Sequence, residues 1–184
     1  MKQFFLFVLE AAKMIIICLA IILPIRYFLV QPFYVKGASM EPTYVDHNYL
    51  MVDEITYRFK EPQRGDVIVF RYPNDPQEYF IKRLIGLPGE TVSFADGQVF
   101  IASGDGEAKK LNESYLPGGT ETYAVAQEKV MLGANQYFFM GDNRNGSKDS
   151  RSFGPVDKNF IIGRVVLRGW PLKQAGLTKR PLYN

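Results

Sequence analysis

The sequence predicts a mainly β protein: an N-terminal single transmembrane helix followed by a curved or barrel-like all-β domain. Three observations carry this. Residues 4–30, "FFLFVLEAAKMIIICLAIILPIRYFLV", are overwhelmingly apolar. Beyond them, apolar and polar residues alternate in short runs, the period of a strand. Clusters of Pro, Gly, Asn and Asp break up the runs. The 184 residues include 16 Gly, 11 Pro and 14% aromatics, a composition suited to many short strands joined by turns.

The first element is the helix. A membrane span needs about 20 largely apolar residues, with about 17 as a lower limit. Residues 14–30 reach that limit by including Pro24 and Arg26. An arginine near one end snorkels to the interface, and proline is tolerated in membrane helices. A cleavable signal peptide needs small residues at −3 and −1 of its cut, but cleavage after Ala38 puts Lys36 at −3. A soluble core helix at the extreme N-terminus of a small domain is not expected to be apolar on every face. Residues 1–30 therefore read as a short tail and an uncleaved anchor in a cell membrane, and residues 31–184 as the β-rich domain. Lys2 and Lys13 favour a cytoplasmic N-terminus, with Arg26 and Lys36 on the opposite flank as a counterweight.

The strands follow in order. "YLMV" (49–52), "DVIVF" (66–70), "YFIKRLI" (79–85) and "TVSF" (91–94) have the pattern, and Asp96-Gly97 marks a tight hairpin. "QYFFM" (136–140) and "IIGRVVL" (161–167) supply two more. Residues 102–132 are polar and contain "YLPGGTETY"; they read as a peripheral insertion of loops or a hairpin. No repeat or low-complexity tract is present.

Composition excludes several functions. The net charge is only +3, and its basic residues are scattered, so no nucleic-acid partner is expected. Cys18 is the sole cysteine, which excludes a disulfide within the monomer and a zinc site built from several cysteines. No metal and no cofactor are expected. A body without cysteine needs no reducing compartment and suits the extracytoplasmic side.

The chemistry starts from Ser39 in "KGASMEPTY" (36–44). A nucleophilic serine requires a base. In the strand 79–85, Phe80, Lys82 and Leu84 share one face while Ile81, Arg83 and Ile85 share the other. Either Lys82 or Arg83 must then lie among apolar neighbours. A buried guanidinium keeps its proton, whereas a buried ammonium loses it readily, so Lys82 is the better-specified base. Its alternative role is an amphipathic stem with its head in water. His47, in the polar "VDHNY", reads as a surface histidine, although a Ser-His-Asp triad needs only to meet in space. The dense polar stretch "MGDNRNGSKDSRSFGPV" (140–156) reads as a self-bonded loop. If extended, it would turn Ser147, Asp149 and Arg151 to one side. It is either a structural loop or a support that orients the base.

Together, "SMEPT", "RGDVIVF", "YFIKRLIGLPGE" and "GDNRNGSKDSR" resemble the four sequence boxes of type I signal peptidases, the membrane-anchored Ser-Lys proteases that remove signal peptides. The boxes occur in the family's order behind an anchor, and the resemblance covers essentially the whole chain. The single anchor and short insertion look like the small Gram-positive forms. The resemblance implies Ser39 as nucleophile, Lys82 as general base, Ser147 as the residue orienting Lys82, and Asp142, Asp149, Arg83 and Arg151 as ion pairs bracing the loop. It also implies cleavage of secretory preproteins after small residues at −1 and −3, with Phe33, Val35, Met40 and Ile81 lining the two shallow pockets. Partners would be preproteins and membrane lipid, and the protein would be a monomer. Where some members carry a serine whose hydroxyl helps stabilise the oxyanion, this chain has Gly37, leaving the Ser39 backbone N–H and a further donor to be identified. Two other readings are a self-cleaving repressor-type Ser-Lys protease, which would need a DNA-binding helical domain and a cleavable linker where this chain reads as an apolar anchor, and a tethered β module without activity.

Overall fold

The computed structural model describes residues 2–28, 30–104, 106–181 and 183. The chain opens with helix α1 (Lys2–Phe28). Among the described residues, no helix is long and apolar enough to cross a membrane. The expected span, 14–30, falls largely on side chains 21–30, which lie outside the described residues. Before them, Phe4, Phe7, Met14, Ile15 and Ile16 are all exposed. At 100° per residue, consecutive residues of this kind look out in every direction.

The body is β, as the alternating runs predict. Its strands are β1 (Val30–Tyr34), β2 (Tyr49–Asp53), β3 (Val67–Tyr72), β4 (Asp75–Gly86), β5 (Glu90–Ala95), β6 (Gln98–Ser103), β7 (Lys109–Lys110), β8 (Lys129–Met131), β9 (Gln136–Met140), β10 (Val156–Asp157), β11 (Ile161–Trp170) and β12 (Gly176–Leu177). The short helices are α2 (Thr56–Phe59) and α3 (Ser150–Phe153). The large sheet runs β1-β2-β11-β3-β4-β9-β10, with β12 added to β11, and the small sheet runs β7-β6-β5-β8. The strand pairs are antiparallel. Register shifts in β3, β4 and β11 mark places where a bulge bends the strand and increases its twist.

Strand β1 begins at Val30, the last residue expected in the anchor, and pairs Pro32 with Met51 of β2. A strand containing proline is tolerated there because β1 is an edge. Residues 102–132 are mostly loops with two short strands, β7 and β8, which extend β6 and β5 on opposite sides of the small sheet. The Asp96-Gly97 turn is present, with φ of 49° and 68°, joining β5 to β6 in uninterrupted register.

The core explains the apolar runs "VIVF" of β3 and "YFFM" of β9. In β3, Val67 and Val69 join a cluster with Val35, Met40, Tyr44 and Leu50, while Ile68 and Phe70 join another with Leu84, Tyr137 and Phe139. In β9, Phe138 and Met140 enter a third cluster with Ile85, Val92 and Val99. These central strands are covered on both faces. At Gly86, where β4 shifts register against β9, a Cβ would stand 2.6 Å from Val92 and 2.7 Å from Leu132. Gly86→Ala is therefore expected to lower stability by about 1–3 kcal/mol through overpacking. Gly118→Ala, with open space around it, is expected to be neutral. Thermal melts of both variants in detergent check this, and equal melting temperatures would contradict the packing.

Candidate active site

Ser39 is placed by the turn that follows β1. Its Glu41 N–H donates to the Ala38 carbonyl at 3.1 Å. The next residue, Met40, is fully buried and plugs the turn into the core. Lys82 arrives from β4, paired across to Ile68 of β3. The two side chains meet: Lys82 Nζ donates to Ser39 Oγ at 2.7 Å and to the Ile81 carbonyl at 3.0 Å. They are 43 residues apart in the chain.

Lys82 is only 4% exposed. Desolvation brings the Lys82 pKa down to about 8, while the charges of Asp149 and Asp142 hold it up against a larger fall. Burial disfavours the charged form because water is replaced by a medium that solvates it poorly. The strand-face expectation was that either Lys82 or Arg83 would be buried. Both are, Arg83 at 2%, because β4 is covered on both faces. Arg83 keeps its charge through a forked pair with Asp142, Nε to Oδ1 at 2.8 Å and Nη2 to Oδ2 at 2.6 Å. Its Nη1 donates to the Gly65 carbonyl, and its guanidinium lies over the Tyr115 ring.

The 140–156 loop is organised by a second forked pair. Arg151 Nε and Nη2 each donate to Asp149 at 2.8 Å. Asp149 also accepts from the Gly141 N–H at 3.0 Å and caps α3 by accepting from the Arg151 N–H. Within this loop, residues 150–153 are helical rather than extended. Ser147 Oγ does not bond Lys82. It is buried without a hydrogen-bond partner among the described residues, against Gly141, where a Cβ would collide with both Ser147 Oγ and the Ser39 carbonyl oxygen. Only glycine lets the loop approach the Ser39 backbone so closely.

A cavity of about 700 Å³ opens over Ser39 and Lys82. Phe33, Val35 and Ile81 line it, together with Leu50, Val69, Tyr34, Tyr79 and Phe80. Met40 does not: it is 0% exposed inside the core, and its part is to hold the turn. His47 pairs with Tyr34 and, at 3.3 Å, with Asp46, rather than with Ser39. The Gly37 N–H donates to Asp46 at 2.9 Å.

Sequence reasoning missed Arg144 and its partners. Arg144 donates to Glu113 through both Nη atoms and to Thr122 and Tyr115, and its Nε donates to the Gly141 carbonyl at 3.1 Å. The insertion is thus fastened to the loop that carries Asp142 and Ser147. A partner 31 residues away leaves no local pattern to read. Among the described residues, no group of His, Cys, Asp and Glu is arranged to hold a metal ion.

Chemically, the arrangement is a hydroxyl beside a desolvated amine at the floor of an apolar groove. The linkage sign is fixed by the lowered pKa. Between about pH 8 and 10.5 the unfolded chain binds the extra proton, so stability rises with pH across that window, and the full penalty is present below it. Lys82→Met is therefore expected to melt higher than the parent at pH 7, with the difference shrinking by pH 10. A difference that grows with pH would contradict the burial. Asp142→Ala, which strands the Arg83 charge, is expected to cost about 3–5 kcal/mol.

Comparison with known proteins follows from this geometry. The family model for signal peptidase, peptidase S26, matches residues 8–170. The chain is 39% identical over 176 residues to a signal peptidase I of Leptolyngbya laminosa, covering 91% of this chain and 82% of that protein. It is 32% identical over 182 residues to signal peptidase IB of Staphylococcus aureus strain COL, covering 91% and 92%. Among solved structures, a signal peptidase I from Enterococcus faecalis V583 is similar at 34% identity, with a TM-score of 0.47 over 57% of this chain and 97% of that one.

Proposed function

The chain belongs to the signal peptidase family, peptidase S26, and from that premise we propose that it is a membrane-anchored serine endopeptidase. It cleaves N-terminal signal peptides from exported preproteins after small residues at −1 and −3, using Ser39 and Lys82. The observation that supports this most is the 2.7 Å contact between Lys82 Nζ and Ser39 Oγ, made by an amine whose pKa burial lowers to about 8.

In the first half-reaction, Ser39 Oγ attacks the scissile carbonyl carbon as its proton passes to the neutral Lys82 amine. The carbonyl π electrons move onto oxygen. The tetrahedral intermediate then collapses, the C–N bond breaks, and Lys82 returns the proton to the leaving amine. A water repeats the sequence on the acyl-enzyme with Lys82 again as base, releasing the signal peptide carboxylate and Ser39. The protonated Lys82 carries three N–H donors. Ser39 and Ile81 accept two; the third is assigned to the hydroxyl of Ser147, which has no partner among the described residues and takes it up once the amine is charged, so orienting the base. Asp142 with Arg83 and Asp149 with Arg151 brace the surrounding loop.

The preprotein segment lies extended along the groove, with alternate side chains entering shallow apolar hollows at Phe33, Val35 and Ile81, joined by Leu50 and Val69. Lipid is assigned as the partner of α1, whose described apolar side chains between Phe4 and Leu19 are exposed. The N-terminus is placed in the cytoplasm, the β domain outside it, and the protein is a monomer.

The test is incubation of the full chain in detergent with a purified preprotein, with the cut site read by mass spectrometry. One cut after a small residue is expected, and Ser39→Ala and Lys82→Arg are each expected to lose about 10³-fold or more, because arginine stays protonated. The acidic limb of kcat/KM on a soluble peptide is expected near pH 8, since only the neutral amine accepts the serine proton. Retained activity in Lys82→Arg would remove Lys82 from the mechanism.

A further inference from the structure

An oxyanion forming on the scissile carbonyl needs N–H donors aimed at it, and this chain holds few near Ser39. The Gly37 N–H is occupied by Asp46. The Ser39 N–H has no hydrogen-bond partner among the described residues, so the direction in which it points decides whether it donates. In a trans peptide, N–H and C=O point opposite ways. The partner carbonyl of the Ser39 N–H is that of Ala38, and it is fixed from two sides, by the Glu41 N–H at 3.1 Å and by Asn143 Nδ2 at 3.2 Å. Asn143 also donates its own N–H to the Ser39 carbonyl at 3.1 Å. Its Oδ1 accepts the Gly146 N–H at 3.1 Å, which commits the other end of the amide to donating. One side chain thus ties the catalytic turn to the loop and fixes the plane of the peptide between Ala38 and Ser39.

We propose that Asn143 is a positioning residue that holds the Ala38–Ser39 peptide so that the Ser39 N–H donates to the oxyanion. The inference rests on Ser39 being the nucleophile. Asn143 touches no reacting atom. It acts through the peptide plane, so its loss is felt where charge develops on oxygen and not in binding of the uncleaved peptide.

Two variants separate this from a merely structural role. Asn143→Asp keeps the acceptor for Gly146 but sets a carboxylate against the Ala38 carbonyl, and Asn143→Ala removes both bonds. Removing an oxyanion donor outright costs about 10²–10³ in kcat, and misaiming one is expected to cost about 10–100-fold, with KM within about twofold. The distinguishing probe is a signal-peptide-like peptide ending in an alanine aldehyde. Ser39 Oγ adds to its carbonyl carbon, the hydroxyl proton moves to Lys82, and the π electrons become an oxyanion in the proposed hole. Its affinity in both variants is expected to fall by the same factor as kcat, while the matching peptide alcohol, which forms no adduct, binds as to the parent. Aldehyde affinity and kcat equal to the parent in a folded variant overturn the proposal. Aldehyde and alcohol affinities falling together assign Asn143 to groove structure and also overturn it. If the parent itself forms no aldehyde adduct at Ser39, the nucleophile reading fails and takes this inference with it.

Discussion

The amine of Lys82 lies between two opposed demands, and the surrounding structure follows from how they are balanced. Desolvation drives its proton off, while the carboxylates of Asp149 and Asp142 hold the proton on. Were either carboxylate free to act alone on the amine, the ion would be retained and the hydroxyl beside it would have no acceptor. Each carboxylate is also engaged by its own arginine in a forked pair, which places a compensating cation beside it. Buried ion pairs of this kind contribute little to net stability against an apolar replacement. Their effect here is on geometry and on the state of one proton.

The same pairs organise the backbone. Asp142 reaches Arg83, one residue from Lys82 on β4, and also accepts from Thr43, four residues beyond Ser39. The strand bearing the amine and the turn bearing the hydroxyl are thereby tied through one carboxylate. Asp149 fixes the Gly141 N–H at the point where the loop presses on the Ser39 carbonyl. Arg144 extends the frame outward to Glu113, Tyr115 and Thr122, which gives residues 102–132 a structural purpose. A polar network this closely satisfied is rigid, as a nucleophile and base held at hydrogen-bond distance require.

What the sequence disclosed is what depends on local order. The alternation of 49–52, the run 136–140 and the Asp96-Gly97 turn follow from side-chain period and backbone sterics, and they were legible. The burial of Lys82 was half legible too, since the strand period calls for one buried charge on β4 where the structure buries two. A covering layer on the second face comes from strands remote in sequence and leaves no mark on the period. For the same reason Met40 passed for a groove residue, although it faces the core. The four-residue helix capped by Asp149 was not legible, because the cap is held by the bond from the Gly141 N–H. The proline in β1 concealed a strand that only an edge position permits. Arg144 and Asn143 were invisible because their partners lie at Glu113 and Ala38, distant along the chain.

The claim on which the account turns is that the fold, and not the substrate, lowers the Lys82 pKa. It is tested most directly by following the Lys82 side chain itself. Isotope-labelled lysine in the full chain in detergent, with the resonance assigned by its absence in Lys82→Arg, reports protonation by NMR across pH 6 to 11 without any substrate. The account predicts a midpoint near 8; a midpoint at the ordinary lysine value of about 10.4 would contradict it.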